Sequence, residues 1–475
     1  MDTSDLAFAG AARQAELIRS GEVSSVELTE MYLVRIESLD PSLNAYRDVF
    51  ADSARERAVA ADEGRGRGEQ APLLGVPIAI KDTLDLAGDV TRLGTDGFEQ
   101  PAVHDSELVR RLRETGAVIL GKTNLPELAI HGFTESRTFG VTRNPWDLER
   151  TTGGSSGGSG AAVAAGLCAL AHASDGAGSI RYPAAHCGLF GLKPQRDRVP
   201  IEAEHWFGLS VNGCLSRTVA DTALYLDAAA AGSATEAGPP PPAPERSFTE
   251  AAASPPGRLR VAVSTKAPRA VAPPKLGEES KRALERVAEL LRSLGHGVEW
   301  RDPAWGGIGW QIPAVYLGGI AEDVDAVPHP ERLESLTRGY RRLARVVAPG
   351  WAIRRARRLE EDSRRRINRV LERHDVLLTP MTAGPAFEHG RFYRRRAPGC
   401  LLGESRFYPY AVPWNYTGQP AASIPAGLTA EGLPIAVQLV GRPNDEATLL
   451  SLSAQLEREL DWPQRRPPLA ETGTP

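Results

Sequence analysis

The stretch GGSSGGSG, Gly153 to Gly160, runs without a break into the apolar segment AAVAAGLCALA, residues 161–171. Ordering a glycine costs more backbone entropy than ordering any other residue, so such a run is either disordered or placed where the backbone must approach something closely. A flexible Gly/Ser linker would have polar flanks. Here the downstream flank reads as a buried helix followed by a strand, so the linker reading fails. What remains is a glycine-rich loop at a helix N-terminus, its amides facing a site where the helix dipole favours developing negative charge. The loop is not a phosphate cradle of either common kind. No Gly-Lys-Ser/Thr follows the glycines, and the G-x-G-x-x-G context of a dinucleotide site is missing.

The flanking sequence places this loop in an α/β chain. Val26, Leu28, Tyr32, Leu33 and Ile36 recur at helical spacing behind Ser24, and Asp40-Pro41 is expected to stop that helix. LLGVPIAIKDTLDL gives a buried strand over Val76–Ile80 with Lys81 at its end, followed by a helix over Ser106–Thr115 and a strand over Ala117–Leu120. DLERTTGG, just before the glycine run, reads as loop. GRLRVAVS and a helix over Glu278–Leu294 resume the pattern, and the last third closes with two short strands around a turn and a final helix. Such alternation predicts a sheet covered by helices on both faces. The proline-rich run 228–257 reads as a low-complexity surface connection. The arginine-rich stretch Arg338–Arg373 reads as a solvated amphipathic helical pair, since acidic and apolar residues interrupt its charge.

With 475 residues, 41% hydrophobic and 24% charged, the chain has the composition of a folded globular protein. Its net charge of −4 argues against nucleic acid as the main partner. Cys168, Cys187, Cys214 and Cys400 lie far apart, which predicts reduced, buried thiols and neither a zinc site nor a disulfide framework. The opening MDTSDLAFAGAARQ has no basic region before an apolar core, and residues 161–173 are too short and alanine-rich to span a bilayer. A cytoplasmic protein with no membrane partner is expected.

Which residues carry chemistry? A nucleophile elbow, G-x-S-x-G, is matched around Ser155 and again around Ser156, and leaves a serine esterase of the α/β-hydrolase type as one reading. That fold needs a late histidine, and neither His374 nor His389 has a persuasive setting. The other reading joins Ser155, Ser179 and Lys81. Ser179 sits in DGAGSIRYP, where Gly176, Ala177 and Gly178 can turn N–H groups toward one point and form an oxyanion hole beside it. A serine needs a base to take its proton. Lys81, acting through Ser155, serves only as a neutral amine, and its ordinary pKa of about 10.4 opposes that. Burial at the end of an apolar strand can lower it by roughly 3–5.

These residues, with GVPIAIKD, GKTNLPELA, RNPW, GGSSGGSGAAVAAG, DGAGSIRYPAAHCGLFGLKP and GLPIAVQLVGRPNDEATLL in that order, resemble the amidase signature enzymes, which use a Ser–cisSer–Lys triad. The resemblance covers nearly the whole chain. It implies one large α/β domain, 1–475, with a central mixed sheet, and a variable, helical pocket region over 301–374. By it Ser179 is the nucleophile, Ser155 the serine after a cis peptide, Lys81 the base, and Gly176, Ala177, Gly178 and Ser179 the donors of the oxyanion amides. Ser156 is expected to hydrogen-bond Lys81, and Asp175 and Arg181 to brace the loop as a pair. The family often has glycine where this chain has Ala177, and many members have Gly-Pro where it has Gly213-Cys214. No cofactor or metal is implied, and the chain is expected to act as a monomer or homodimer.

The implied reaction is hydrolysis of a small-molecule amide, ester or carbamate through an acyl-enzyme; apolar or aryl amides and oligoamide fragments are the expected substrates. His131, Gly132 and Phe133 fall where the family builds its pocket. Trp206, Phe207, Trp310, Tyr316 and Trp414 lie in its variable regions and are further candidates. An amidotransferase-type subunit needing partner proteins is the alternative. The glutaminase relative usually carries an aspartate seven residues before the asparagine of Asn-x-x-Gly-x-Pro; here that residue is Tyr408, which cannot pair the ammonium of glutamine.

Overall fold

The structure, a computed structural model, describes residues 3–202, 204–230, 241–268 and 274–472. Eleven strands form one sheet: β1 (Tyr46–Val49), β2 (Pro77–Lys81), β3 (Val118–Thr123), β4 (Leu170–Asp175), β5 (Phe190–Lys193), β6 (Val211–Ser216), β7 (Arg260–Val263), β8 (Gly297–Trp300), β9 (Val376–Pro380), β10 (Ala421–Leu428) and β11 (Pro434–Gly441). Their order is β1-β3-β2-β4-β6-β5-β10-β11-β9-β7-β8. β2 runs parallel to both β3 and β4, and β7 runs parallel to both β8 and β9. The other neighbours are antiparallel. This is the mixed sheet the resemblance implied, in a single domain. Parallel neighbours need a crossover, which the helix Glu107–Glu114 supplies between β2 and β3. Every residue of β2, β3, β5 and β11 is buried, as expected for strands covered on both faces.

The glycine run is packed backbone on backbone. Gly157–Ala164 is a helix buried along its whole length. A Cβ on Gly158 would lie 2.5 Å from the main chain of Asn124 and Ala45, and one on Gly154 would lie 2.6 Å from the main chain of Phe133. Only glycine permits that approach, which is why the run is ordered.

Four expectations need correction. The helix behind Ser24 spans Ser25–Leu43 and holds Pro41 in its last turn. Proline removes one donor there, while Asn44 in the left-handed region still donates to the Asp40 carbonyl, and the Asp40 carboxylate accepts the Ala45 N–H at 2.7 Å. DLERT is a strand, Asp147–Thr151, paired with Arg143–Asn144 outside the main sheet. The arginine-rich stretch forms three helices, Ser335–Val347, Gly350–Arg358 and Glu360–Arg373. Within 228–257, helix Val219–Ala229 enters the run and Phe248–Ala253 is a helix capped by Ser247; residues 231–240 lie outside the described residues.

All four cysteines are free and buried. Among the described residues no helix is long and apolar enough to cross a membrane. One apolar cluster packs Leu28, Val118, Leu284 and Val437 around the sheet. A second gathers Tyr182, Trp206, Ile312 and Tyr340 beside the loop that carries Ser179.

Candidate active site

β2 ends in Lys81, and neighbouring β4 carries Ser174 and Asp175. The glycine run arrives over the same strand ends through a cis Gly154–Ser155 peptide. These elements bring Lys81 Nζ 2.8 Å from Ser155 Oγ and 2.8 Å from Ser174 Oγ. Lys81 is fully buried and makes no ion pair among the described residues. The adjacent carboxylate, Asp82, turns away to Arg47 at 3.1 Å and Lys122 at 3.2 Å. Burial lowers the Lys81 pKa to about 7, against a smaller upward pull from the charge of Asp175. The amine can then release its proton near neutrality. Its lone pair can accept the Ser155 O–H while an N–H donates to Ser174.

Ser174, which sequence reasoning missed, takes the place beside Lys81 that was expected for Ser156. The Ser156 hydroxyl instead donates to the Ser174 carbonyl at 3.2 Å and accepts the Ser174 N–H at 3.3 Å. Ser156 therefore fixes the residue that holds the lysine.

Ser179 follows the turn after β4, is 8% exposed, and borders a cavity of about 310 Å³. Its hydroxyl has no hydrogen-bond partner among the described residues, Ser155 included. Asp175 and Arg181 brace the turn as expected: Arg181 Nε and Nη2 each lie 2.9 Å from the Asp175 carboxylate. Burial acts to raise the Asp175 carboxyl, but the Arg181 charge and the bonds from Arg181 and Asn415 overcome it and hold it well below the ordinary range. The same carboxylate accepts the N–H of Gly178 at 2.6 Å and that of Ile180 at 3.2 Å. Gly178 is therefore not a free oxyanion donor, a correction to the expected set. The N–H groups of Gly176, Ala177 and Ser179 have no acceptor among the described residues and remain available.

Ala177, Ser179, His131, Gly132, Trp206, Tyr316 and Tyr408 border the cavity. Four expected pocket residues do not. Phe133 is buried behind His131, ring centroids 4.6 Å apart. Trp414 packs in the core against Trp305. Trp310 is solvent-exposed, and Phe207 lies under the Arg357 guanidinium. Aliphatic residues that carried no sequence signal supply much of the wall: Ile308 and Ile312 from helix Ile308–Ala326, Leu343 from helix Ser335–Val347, and Leu401 from helix Ala397–Phe407. Tyr408 donates to the Gly132 carbonyl at 2.8 Å and lies 3.0 Å from His186 Nε2, so this ring is part of the wall.

Among the described residues, one cluster has the donors to hold a metal ion: His131, Cys400 and Glu404. Glu404 already accepts the Gly132 N–H at 2.7 Å, the Tyr340 O–H at 3.1 Å and the Cys400 thiol at 3.4 Å. The cluster fits an internal hydrogen-bond hub that fixes the Gly132 loop. His374 and His389 contact Val370 and Glu149, away from both serines.

The Amidase family model matches residues 27–450. AmiB2 of Mycobacterium tuberculosis (strain ATCC 25618 / H37Rv), a protein named as an amidase, is 50% identical over 472 residues, which cover 98% of this chain and 99% of its own. The fold is similar to that of a 6-aminohexanoate cyclic dimer hydrolase solved with its substrate, with a TM-score of 0.89, 33% identity and coverage of 98% of this chain and 99% of that one. It is also similar to a bacterial aryl acylamidase of the amidase signature family, with a TM-score of 0.84, 26% identity and 98% of each chain covered. The chain belongs to the amidase signature family and is a hydrolase of amide C–N bonds.

Proposed function

We propose that the chain hydrolyses amides with an apolar acyl group through an acyl-enzyme on Ser179, with Ser155 as proton relay and Lys81 as base. The observation that carries this reading is a buried amine with no carboxylate partner among the described residues, 2.8 Å from the Ser155 hydroxyl. Lys193 is buried to the same depth without an ion pair among the described residues, but its amine is held by the Pro194 carbonyl at 2.8 Å, whereas Lys81 meets two serine hydroxyls, one of which it can deprotonate.

The substrate carbonyl enters with its oxygen toward the N–H groups of Ala177 and Ser179, with that of Gly176 beside them. Ser179 turns its hydroxyl toward Ser155 and attacks. Its proton passes to Ser155, whose own proton passes to Lys81. The negative charge that develops on oxygen meets fixed amide dipoles, so little reorganisation is needed. Lys81 then returns a proton through Ser155 to the leaving nitrogen, the C–N bond breaks, and an ester remains on Ser179. Water enters by the same relay and releases the acid. Esters and carbamates suit the same sequence of steps. The apolar cavity wall supports aryl or aliphatic acyl groups, in keeping with the names of the similar aryl acylamidase and cyclic dimer hydrolase.

The test is turnover of a chromogenic aryl amide by the wild type and by the Lys81→Ala, Ser155→Ala and Ser179→Ala variants. Each variant is expected to keep its circular dichroism spectrum and lose about 10³-fold or more in kcat/KM. Near-normal turnover by a folded Lys81→Ala variant rejects the base.

A further inference from the structure

Helix Ala397–Phe407 does more than wall the cavity. Its last turn and the residue after it grip Gly132 at both ends. The Glu404 carboxylate accepts the Gly132 N–H at 2.7 Å, and the Tyr408 hydroxyl, four residues on, donates to the Gly132 carbonyl at 2.8 Å. No side chain fits in that grip: a Cβ on Gly132 would lie 2.6 Å from the Tyr408 ring. Both gripping groups are themselves held. Glu404 is buried and also accepts the Tyr340 O–H at 3.1 Å, and His186 Nε2 lies 3.0 Å from the Tyr408 oxygen. From helix Ile308–Ala326, Tyr316 donates to the nearby Ile130 carbonyl at 2.7 Å.

The held segment is strained where the chain enters it and touches the reaction centre where the chain leaves it. Leu128 and Ala129, two successive non-glycine residues, stand in the left-handed region with φ of 51° and 56°. Such a backbone costs about 1–3 kcal/mol per residue and persists only where its surroundings over-determine it. Beyond Gly132 the chain forms the bed of the glycine run. Main-chain atoms of His131 and Phe133 lie so close to Gly154 that a Cβ there would come within 2.7 Å and 2.6 Å of them, and the Thr134 hydroxyl donates to the Gly153 carbonyl at 2.9 Å. Gly153 and Gly154 directly precede Ser155, whose hydroxyl lies 2.8 Å from Lys81 Nζ.

We propose that Glu404 and Tyr408 form a clamp that positions the proton relay: by fixing Gly132 they fix the main chain on which Gly154 rests, and with it the place of Ser155 between Ser179 and Lys81. They are positioning residues, and no proton of the reaction passes through either. The inference rests on the reading of Ser155 as relay. In the acylation step the Ser179 oxygen bonds to carbon, the C–N bond breaks, and the leaving nitrogen takes the proton held by Lys81 through Ser155. An amine needs that proton in order to leave, whereas 4-nitrophenolate leaves without one. A displaced Ser155 therefore slows amide cleavage more than cleavage of an activated ester of the same acid. A general loosening of the fold lowers both in proportion.

The test reads kcat/KM for hexanoyl anilide and for 4-nitrophenyl hexanoate, and their ratio, in the wild type and in variants. Tyr408→Phe keeps the ring and removes the donor to Gly132; it is expected to lose about tenfold on the anilide and about twofold on the ester. Glu404→Leu should lose about 10²-fold on the anilide and about tenfold on the ester, as expected for a displacement of about 1 Å at the relay. Glu404→Gln, which keeps an acceptor for the Gly132 N–H, should restore the anilide rate to within about threefold of the wild type. An anilide-to-ester ratio in Tyr408→Phe equal to that of the wild type, or a Glu404→Gln variant as slow as Glu404→Leu, overturns the proposal. Ser155→Ala separates the two readings. If it leaves the ratio unchanged, the relay reading fails and the clamp's role fails with it; if it lowers the ratio while Tyr408→Phe does not, only the clamp fails.

Discussion

Removing the Ser174 hydroxyl should move the pH dependence of the enzyme in a direction that follows from its geometry. Lys81 Nζ has two polar neighbours, Ser155 Oγ and Ser174 Oγ, each at 2.8 Å. A hydrogen bond to a charged group contributes about 1.5–3 kcal/mol and one between neutral groups about 0.5–1.5. Ser174 therefore favours the ammonium over the amine by about 1 kcal/mol, equivalent to about 0.7 in pKa. Ser174→Ala leaves the lysine as buried as before and withdraws that support. The pKa, about 7 in the wild type, should fall further. Because the base works only as the free amine, kcat/KM rises with pH through this pKa, and its acid limb should shift to lower pH by roughly 0.5–1. The plateau should drop about tenfold, since the amine loses one of its two anchors. The assay is kcat/KM for an aryl amide from pH 4.5 to 9, which reports groups of the free enzyme. An unmoved limb, or one displaced to higher pH, refutes the reasoning.

Lys81→Met should abolish activity yet raise thermal stability. A lysine held near pKa 7 and released near 10.4 on unfolding destabilises the fold by about 4–5 kcal/mol at and below pH 7; this penalty fades as pH rises toward 10.4, so the gain in Tm should shrink on the alkaline side. Arg181→Leu should destabilise by about 3–5 kcal/mol in denaturant melts at pH 7, because it strands the Asp175 carboxylate without a counter-charge. In the wild type that pair stabilises fully above the ordinary carboxylate pKa of about 3.9 and is lost as pH falls below it, so the two melts should converge in acid.

How much of this was legible in the sequence divides along physical lines. The alternation of helices and strands, the lysine at a strand end and the glycine run leading into a helix are local patterns, and each reads directly from the chain. Ser174 is not such a pattern. It is one serine in LAHASD, and its role comes from β4 lying beside β2, a register no local signal fixes. A serine directly before the aspartate that pairs Arg181 was the nearest available hint. Gly178 was misread because spacing shows which amides can face the site but not that Asp175 engages one of them. The aromatics divided for a similar reason. Trp206 and Tyr316 reach the cavity while Phe133, Phe207, Trp310 and Trp414 do not, and ring chemistry is the same in both groups. Pro41 does not stop its helix, because a proline in a last turn removes a single hydrogen bond.

The claim on which the mechanism depends is that Lys81 exchanges its proton near neutrality while still buried. Carbon-13 NMR of the protein labelled at lysine Cε, followed from pH 5 to 11 in the wild type and in Lys81→Ala, reads that exchange directly. A resonance that titrates near pH 7 and disappears in the variant is the predicted result; a Lys81 resonance that stays protonated until pH 9 or above contradicts it.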